Sequence, residues 1–173
     1  MTFDLPTTVR PLFILPALLS LGLQAQVPGD APGIQVDLLT VDDGLPQGLV
    51  ADIEQDASGF LWFATKDGLT RYDGYEYRVF RNVPGDTASL AGDHITALHA
   101  DAEGFLWIGT ENNGIDRYDP RTGNFDHLRT DRILKGMGSV VSILEDASGD
   151  IWVHEFGGNL LVVQGAVGRG SDA

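Results

Sequence analysis

The side chains best suited to acid–base or metal chemistry in this 173-residue chain are its four histidines and 25 acidic residues. The histidines stand at positions 94, 99, 127 and 154, and no two have the HExxH spacing that places two imidazoles around zinc. Cysteine is absent, which excludes a disulfide, a thiolate nucleophile and a cysteine metal site. The pattern predicts neither a metal nor a cofactor.

Motifs for nucleophilic or phosphate chemistry are also missing. The sequence has no GxSxG elbow, and GTENNG at 109–114 lacks the Lys-Ser/Thr ending of a phosphate loop. Carboxylates are so numerous that their proximity in sequence does not indicate an acid–base pair. We therefore predict no catalytic residue.

Three Asp-x-x-Gly segments, DASG, DAEG and DASG, could be interpreted as calcium loops or as turns. An EF-hand-type loop needs oxygen ligands at several alternating positions and a distal Glu, whereas each segment offers one dependable carboxylate. An Asp side chain accepts hydrogen bonds from the following backbone, and Gly adopts a positive φ. The turn interpretation is favoured.

The charge balance excludes one class of partner. Eleven Lys and Arg residues oppose 25 Asp and Glu residues, and the net charge is −14. Binding to a phosphate backbone requires a basic face, so we predict no nucleic-acid partner. Hydrophobic residues make up 43% of the chain, which indicates a folded domain.

The N-terminus has the order of a secretory signal peptide. Arg10 precedes an apolar run, Pro11 to Leu23, whose 13 residues are too few to span a bilayer. Small residues follow, with Ala25 as the expected last residue before cleavage. A buried helix is the alternative, but interior proline such as Pro16 opposes it. We predict a signal peptide over 1–25 and a periplasmic or secreted protein.

A 45-residue period organises the rest of the chain. Trp62, Trp107 and Trp152 are 45 residues apart. The same spacing links Asp56, Asp101 and Asp146, and also Gly59, Gly104 and Gly149; Gly68 and Gly114 correspond after a one-residue insertion. The third copy has Glu155 where the first two have Thr65 and Thr110.

Each copy has the pattern of short strands separated by turns. VADIEQD is predicted as a strand with Val50 and Ile53 directed inward, followed by a DASG turn and the apolar strand FLWFAT. LTRYD alternates as a half-buried strand should, and its Arg71 is expected to form a weak surface ion pair with Asp73, as Arg117 with Asp119.

Four short antiparallel strands in about 45 residues are typical of a propeller blade. We therefore predict an all-β fold, a partial β-propeller of about three four-stranded antiparallel blades after a signal peptide. The tryptophans are expected to pack between blades rather than to stack on sugar, because large aromatic side chains dominate cores.

The segment DGLPQGLVADIEQDASGFLWFATKDGLTRYDG resembles the repeat of the two-component regulator propeller family. The family pattern is an Asp-x-x-Gly turn, a Leu-Trp pair, a Thr, a Gly-Leu and an Arg-Tyr-Asp, which residues 43–130 match through two repeats and 134–163 through part of a third. The resemblance implies a sensor domain outside the membrane, connected by a transmembrane helix to a histidine kinase or diguanylate cyclase. The sequence departs from that plan, with no such helix and no kinase or cyclase motif after residue 25.

The predicted organisation follows from the repeats. A signal peptide covers 1–25, and a linker with a ring-closing type of strand at 34–41 covers 26–42. The propeller repeats span 43–163 as 43–88, 89–133 and a partial 134–163, and 164–173 is a flexible tail. A closed ring needs about four to eight blades. We therefore expect a fragment that lacks blades and a membrane-linked output domain, or a chain that closes a ring by self-assembly.

Ligands of propellers meet loops between blades and the second turn within each blade. Here those are 42–48, 84–94 and 131–139, together with four candidate residues, Lys66, Asp67, Asn112 and Asn113. Their mixed polarity suits an unknown polar small molecule or glycan, and ordinary solvated turns are the alternative.

The leading hypothesis for function is a non-catalytic extracytoplasmic sensor or ligand-binding fragment of a two-component-type signalling protein. One alternative is a propeller enzyme resembling streptogramin lyase, which would need a catalytic His and an acid on the channel face. The other is a scaffold that binds protein partners.

Overall fold

The computed structural model describes residues 36–46, 48–128 and 138–164, and eleven strands form three antiparallel sheets within them. The first sheet contains β1 (Val50–Gln55), β2 (Leu61–Thr65), β3 (Gly68–Tyr72) and β4 (Tyr77–Phe80). The second contains β5 (Ile95–Ala100), β6 (Leu106–Thr110), β7 (Ile115–Asp119) and β8 (Asn124–Leu128). The third contains β9 (Val140–Glu145), β10 (Ile151–Glu155) and β11 (Leu160–Val163).

Strands follow one another in order within every sheet, as in a propeller blade. Each tryptophan lies on the second strand and is flanked by equivalent positions of the first and third strands. The first strands β1, β5 and β9 lie side by side and form the inner edge of the three sheets. The predicted all-β propeller fold is confirmed.

The Asp-x-x-Gly turns join the first and second strand through one carboxylate. Asp101 Oδ1 accepts the backbone N–H groups of Glu103 (3.0 Å) and Phe105 (2.8 Å), and Oδ2 accepts the indole N–H of Trp107 (2.7 Å). Gly104 completes the turn with φ of +91°. The same contacts recur from Asp56 to Trp62 and from Asp146 to Trp152, both at 2.8 Å. The turn interpretation is therefore confirmed.

Two of the tryptophans lie between sheets. Trp62 is fully buried in a cluster with Leu98, Leu106 and Tyr118 of the second sheet. Trp107 is 5% exposed and packs with residues of the third sheet such as Val153. Burial of one such ring stabilises the fold by roughly 4–6 kcal/mol as an upper estimate. These two rings therefore pack between blades, as predicted.

Every sheet has two faces. We call the face directed toward the next sheet in the chain the trailing face, and the face directed toward the previous sheet the leading face. The trailing face carries the tryptophan, and the leading face carries the residue equivalent to Leu98. Leu98 of the second sheet lies in the Trp62 cluster, and Ile143 of the third packs against the Trp107 cluster. Leading and trailing faces of successive sheets therefore form the repeated interface of the molecule.

The expectation that Val50 and Ile53 point inward is wrong for this structure. Ile53 is 57% exposed and Val50 is only half-buried. Ile53 lies on the leading face of the first sheet, and no sheet precedes it among the described residues. Its burial requires a neighbour and cannot come from its own sheet.

The strand expected at 34–41 is not formed in its described part. Residues 36–40 have no regular structure, and Val41–Asp43 is a 3₁₀ helix capped by Thr40, whose backbone N–H donates to Asp43 Oδ2 at 2.7 Å. An outer strand needs a partner for its backbone groups, and no described strand pairs with this segment. The predicted signal peptide and residues 165–173 of the predicted tail lie outside the described residues.

The ion pairs expected along β3 and β7 are also wrong. Arg71 lies over the ring of Phe60 at 4.3 Å, and Arg117 lies over Phe105 at 4.4 Å. Arg117 pairs with Asp126 (2.8 Å), whereas Asp119 pairs with Arg121 (3.0 Å). In the third sheet Asp150 occupies the position of Phe60 and Phe105, and Val162 occupies the position of Arg71 and Arg117. The aromatic ring and the arginine are therefore replaced together.

We predict that Asp101→Ala lowers the free energy of unfolding by about 2–4 kcal/mol, because it leaves a buried indole N–H and two turn amides without their acceptor. Urea unfolding followed by circular dichroism measures the effect. Asp67→Ala is the control, since it removes an exposed carboxylate from a surface ion pair worth less than about 1 kcal/mol. Equal losses in the two variants would contradict the role of the Asp101 contacts.

Candidate functional site

One face of the three sheets collects some of the segments expected to meet a ligand, namely 84–94, 138–139 and the second turns of the blades; residues 47 and 131–137 of the expected loops lie outside the described residues. The first residue of each first strand lies opposite the end of the second strand, as Ile95 lies opposite Thr110. The turns after β2, β6 and β10 therefore share this face with the segments that lead into β5 and β9. We call it the rim face, and it comprises residues 65–68, 81–94, 110–114, 138–139 and 155–159.

Buried side chains hold the rim turns from within. Thr65 and Thr110 each donate a hydroxyl to the carbonyl of the glycine that closes the turn, Gly68 and Gly114, at 2.8 Å. The rim turns are thus rigid supports for the exposed residues at their tips.

Glu155 replaces the threonine in the third sheet and adds a contact to the preceding segment. Its Oε1 accepts the backbone N–H of Gly138 at 2.7 Å, and its Oε2 accepts the side-chain amide of Asn159 at 2.5 Å. These hydrogen bonds, that of Asn159 foremost, lower the pKa of Glu155. A Cβ at position 138 would lie 2.4 Å from Glu155 Oε1, so a side chain there would displace this carboxylate.

The four candidate residues all lie at rim turns, with two different environments. Asp67 pairs with Arg81 at 2.7 Å, and Asn113 donates its backbone N–H to Thr110 Oγ1 at 2.9 Å. Lys66 and Asn112 are exposed, and neither forms a hydrogen bond or ion pair within the described part of the chain. These two therefore present unengaged polar groups at the rim, and ligand binding by the four stays a prediction.

A His–Glu pair beside Asn112 was not identified from the sequence. His94 Nδ1 lies 2.5 Å from Glu111 Oε2, and the backbone N–H of Glu111 donates to the carbonyl of His94 at 3.0 Å. His94 immediately precedes β5 and Glu111 immediately follows β6. The 45-residue register could have indicated their proximity, because positions before the first strand and after the second are neighbours.

A buried Asp–His pair fastens the connection between the first two sheets. Asp116 is fully buried; its Oδ2 accepts the backbone N–H of Ala91 (2.7 Å), and its Oδ1 lies 2.7 Å from His127 Nδ1. His127 Nε2–H donates to the carbonyl of Thr87 (3.0 Å), so a single proton lies between Nδ1 and Oδ1. Burial raises the pKa of Asp116. No sequence signal had indicated this pair.

Carboxylates also join the inner strands across sheets. Asp52 Oδ2 accepts the backbone N–H of Leu98 (2.8 Å), and Glu54 Oε1 accepts that of Ala100 (3.0 Å). Similarly, Glu145 Oε2 accepts the backbone N–H of Ala102 (2.9 Å). The acids of the inner edge thus satisfy backbone donors of the neighbouring sheet.

His99 lies between two of these acids on the inner edge. Its Nδ1 is 3.9 Å from Glu54 Oε1, and its Nε2 is 3.8 Å from Glu145 Oε2. Within the described ranges no group of three His, Asp or Glu side chains is arranged to hold a metal ion. No described helix has the length and apolar character needed to cross a membrane.

These sheets and turns define the class as a β-propeller unit, and comparisons specify the repeat. Residues 89–112 match the family model for the two-component regulator propeller. Histidine kinase P4 from Formosa agariphila is 49% identical over 49 residues, which are 28% of this chain and 4% of that protein. The resemblance to the two-component regulator propeller repeat that the sequence predicts is therefore confirmed for residues 89–112.

Solved structures share the fold. The extracellular domain of a hybrid two-component system of B. thetaiotaomicron superposes with a TM-score of 0.67 at 24% identity, over 74% of this chain and 18% of that one. The extracellular domain of a one-component system from the same organism gives 0.57 at 22% identity, over 72% and 16%. The chain spans less than a fifth of the length of each of these relatives.

We predict that Glu155→Ala destabilises the third sheet at pH 7 and that this loss shrinks in acid. The folded-state pKa of Glu155 lies below its ordinary value of 4.5, so its contribution is complete above that value and disappears as the pH falls through the folded-state pKa. Urea unfolding from pH 7 to pH 3 measures the difference. Glu103→Ala, an exposed acid, is the control, and a difference from wild type that is independent of pH would contradict the prediction.

We predict that Asp116→Ala frees the connection over 87–91. The variant loses the acceptor of Ala91 N–H and the partner of His127, so hydrogen exchange in 87–91 should rise about tenfold or more, with about 2 kcal/mol lost in stability. Exchange measured by mass spectrometry tests it. Asp126→Ala in the neighbouring strand should leave 87–91 unchanged; equal exchange in both variants would refute the anchoring role.

Proposed function

We propose that the chain is part of an extracytoplasmic, non-catalytic sensor propeller that binds a polar ligand, such as a carbohydrate, on its rim face. The observation that carries the proposal is the two-component regulator repeat folded as consecutive blades. The matched solved chains are extracellular domains of signalling systems, which supports a position outside the cytoplasm. In this proposal further blades and a membrane-linked output domain complete the signalling protein.

The rim face offers a surface suited to hydrogen-bonded recognition. Lys66 and Asn112 project from turns that buried threonines hold in place, and the His94–Glu111 pair lies beside Asn112 in sequence and register. Amide, ammonium, imidazole and carboxylate groups together match hydroxyl-rich ligands, which both donate and accept. Rigid supports reduce the entropy lost on binding.

The inner edge supports a non-catalytic role over the lyase-like alternative. An enzyme would need a histidine with an acid available to substrate in the channel. His99 lies between Glu54 and Glu145, but both acids already accept backbone N–H groups of neighbouring residues. The hydrogen bonds to Ala100 and Ala102 thus give both acids a role in joining sheets, which supports the non-catalytic proposal.

Binding is tested with a panel of defined oligosaccharides and the purified chain. We predict that at least one raises the melting temperature, and that Asn112→Ala and Lys66→Ala weaken its binding about three- to tenfold by calorimetry, as expected for one lost hydrogen bond. Glu103→Ala, in the opposite turns, is the matched control. No shift with any sugar, or equal weakening by the control, would refute carbohydrate binding at the rim face.

Export is tested separately. We predict that the chain expressed in a Gram-negative host is recovered in the periplasmic fraction with Gln26 as its first residue, because the order of residues 1–25 is that of a signal peptide. N-terminal sequencing and fractionation measure both. Recovery of uncleaved protein in the cytoplasm would contradict the proposed location.

A further inference from the structure

An exposed phenylalanine stands on the rim face at a position that recurs in all three sheets. Phe156 immediately follows β10, as Lys66 follows β2 and Glu111 follows β6, at the 45-residue spacing of the repeat. Lys66 and Glu111 are charged, whereas Phe156 is apolar and 82% exposed. A ring this open gains little from burial, so its contribution to the stability of the fold is small.

The exposure of Phe156 is a property of its position in the blade. Lys66 is exposed and the Glu111 side chain is 47% exposed, although another sheet follows each of them in the chain. Packing of a following sheet thus leaves this position accessible. The two residues after Phe156 are glycines, which bring no side chain next to the ring.

Hydrogen bonds hold the turn that carries Phe156. The backbone N–H of Phe156 donates to the carbonyl of Ser139 at 2.9 Å. Glu155, directly before it, accepts the backbone N–H of Gly138 and the side-chain amide of Asn159. The ring therefore stands on a fixed support, and a ligand that covers it orders few further groups of the protein.

The second sheet brings Glu111 close to the third. Gly109, two residues before Glu111, packs against Val140 so tightly that a Cβ there would overlap Val140 Cγ1. Val140 in turn lies opposite Glu155, the residue before Phe156. The ends of β6 and β10 are therefore neighbours on the rim face, with a carboxylate after one and an aromatic ring after the other.

We propose that Phe156 is the platform on which a neutral pyranose ring of the ligand stacks, while Glu111 and His94 bond hydroxyl groups of the same glycan. The inference rests on the proposed binding of a carbohydrate at the rim face, and it adds the residue that contacts the sugar face and the charge class of the sugar. A pyranose has a face of C–H groups and an edge of hydroxyl groups. It therefore matches the negative face of an aromatic ring that has polar groups beside it.

Charge selects a neutral sugar over an acidic one. The Glu111 carboxylate lies at the site, 2.5 Å from His94 Nδ1, in a chain whose net charge is −14. A sugar carboxylate would meet a field of its own sign there. Lys66 lies on the first sheet, one sheet beyond the Glu111 turn, so its ammonium is not the nearest charge to a ring that covers Phe156.

The platform is tested by calorimetry with the purified chain and neutral tetrasaccharides of glucose, mannose and galactose. For the sugar that binds, Phe156→Ala should weaken binding about tenfold or more, whereas Phe156→Tyr keeps a ring and should stay within about threefold of wild type. Tyr75→Ala removes another exposed aromatic side chain, in the turn between β3 and β4, and should bind as wild type does. Both positions are exposed, so all variants should keep the wild-type circular dichroism spectrum.

The charge class is tested with the counterpart of the same tetrasaccharide oxidised to a carboxylate at C6. This sugar should bind about tenfold more weakly at low ionic strength, and the difference should shrink as salt is raised. Glu111→Gln keeps the shape of the side chain and removes its charge, so it should narrow the difference between the two sugars.

Proton NMR of the bound sugar reports the stacking directly. C–H protons that lie over an aromatic ring move upfield, and this shift should disappear in Phe156→Ala and persist in Tyr75→Ala. Sugar binding with wild-type affinity in Phe156→Ala, or equal binding of the neutral and oxidised sugars, would overturn this inference and leave binding at the rim face standing. Failure of every sugar to bind would overturn the proposed function together with this inference.

Discussion

The carboxylate of each Asp-x-x-Gly turn is the contact on which the rest of the structure depends. One oxygen holds the turn amides and the other holds the indole of the tryptophan six residues later, at 2.7 to 2.8 Å in all three sheets. The turn that joins the first two strands thereby also orients the ring that packs on the next sheet. Local geometry and packing between sheets are consequently set by one side chain.

Such sheets depend on their neighbours. A sheet with an aromatic trailing face and an apolar leading face gains most of its stability from burial that it cannot achieve alone. The backbone N–H groups of the inner strands also depend on a neighbouring sheet, because Asp52 and Glu54 of the first sheet accept N–H groups of the second. Within the first sheet, the guanidinium of Arg71 also lies over the ring of Phe60. The rim face therefore depends on contacts between sheets rather than on independent blades.

The sequence allowed the periodic part of this architecture to be predicted and little else. Trp107 and Asp101 recur at a fixed spacing, so their roles follow from turn chemistry and aromatic burial. The exposure of Ile53 could not be predicted, because it depends on which sheets are present. The Asp116–His127 pair joins a connection to a blade and does not recur in the other copies. Glu155 replaces the threonine of the first two copies. Both sets of contacts involve backbone groups whose positions cannot be inferred from the sequence alone.

Each of the three indoles donates to an equivalent aspartate, but the three rings differ in their exposure to solvent. Each sheet therefore has its own fluorescent probe. Trp62 is fully buried, Trp107 is 5% exposed and Trp152 is half-buried. Indole emission moves to longer wavelength as water reaches the ring, so the reddest component of the fluorescence belongs to Trp152. A blue shift of that component alone would mark the moment at which another surface covers the third sheet, without any label on the chain.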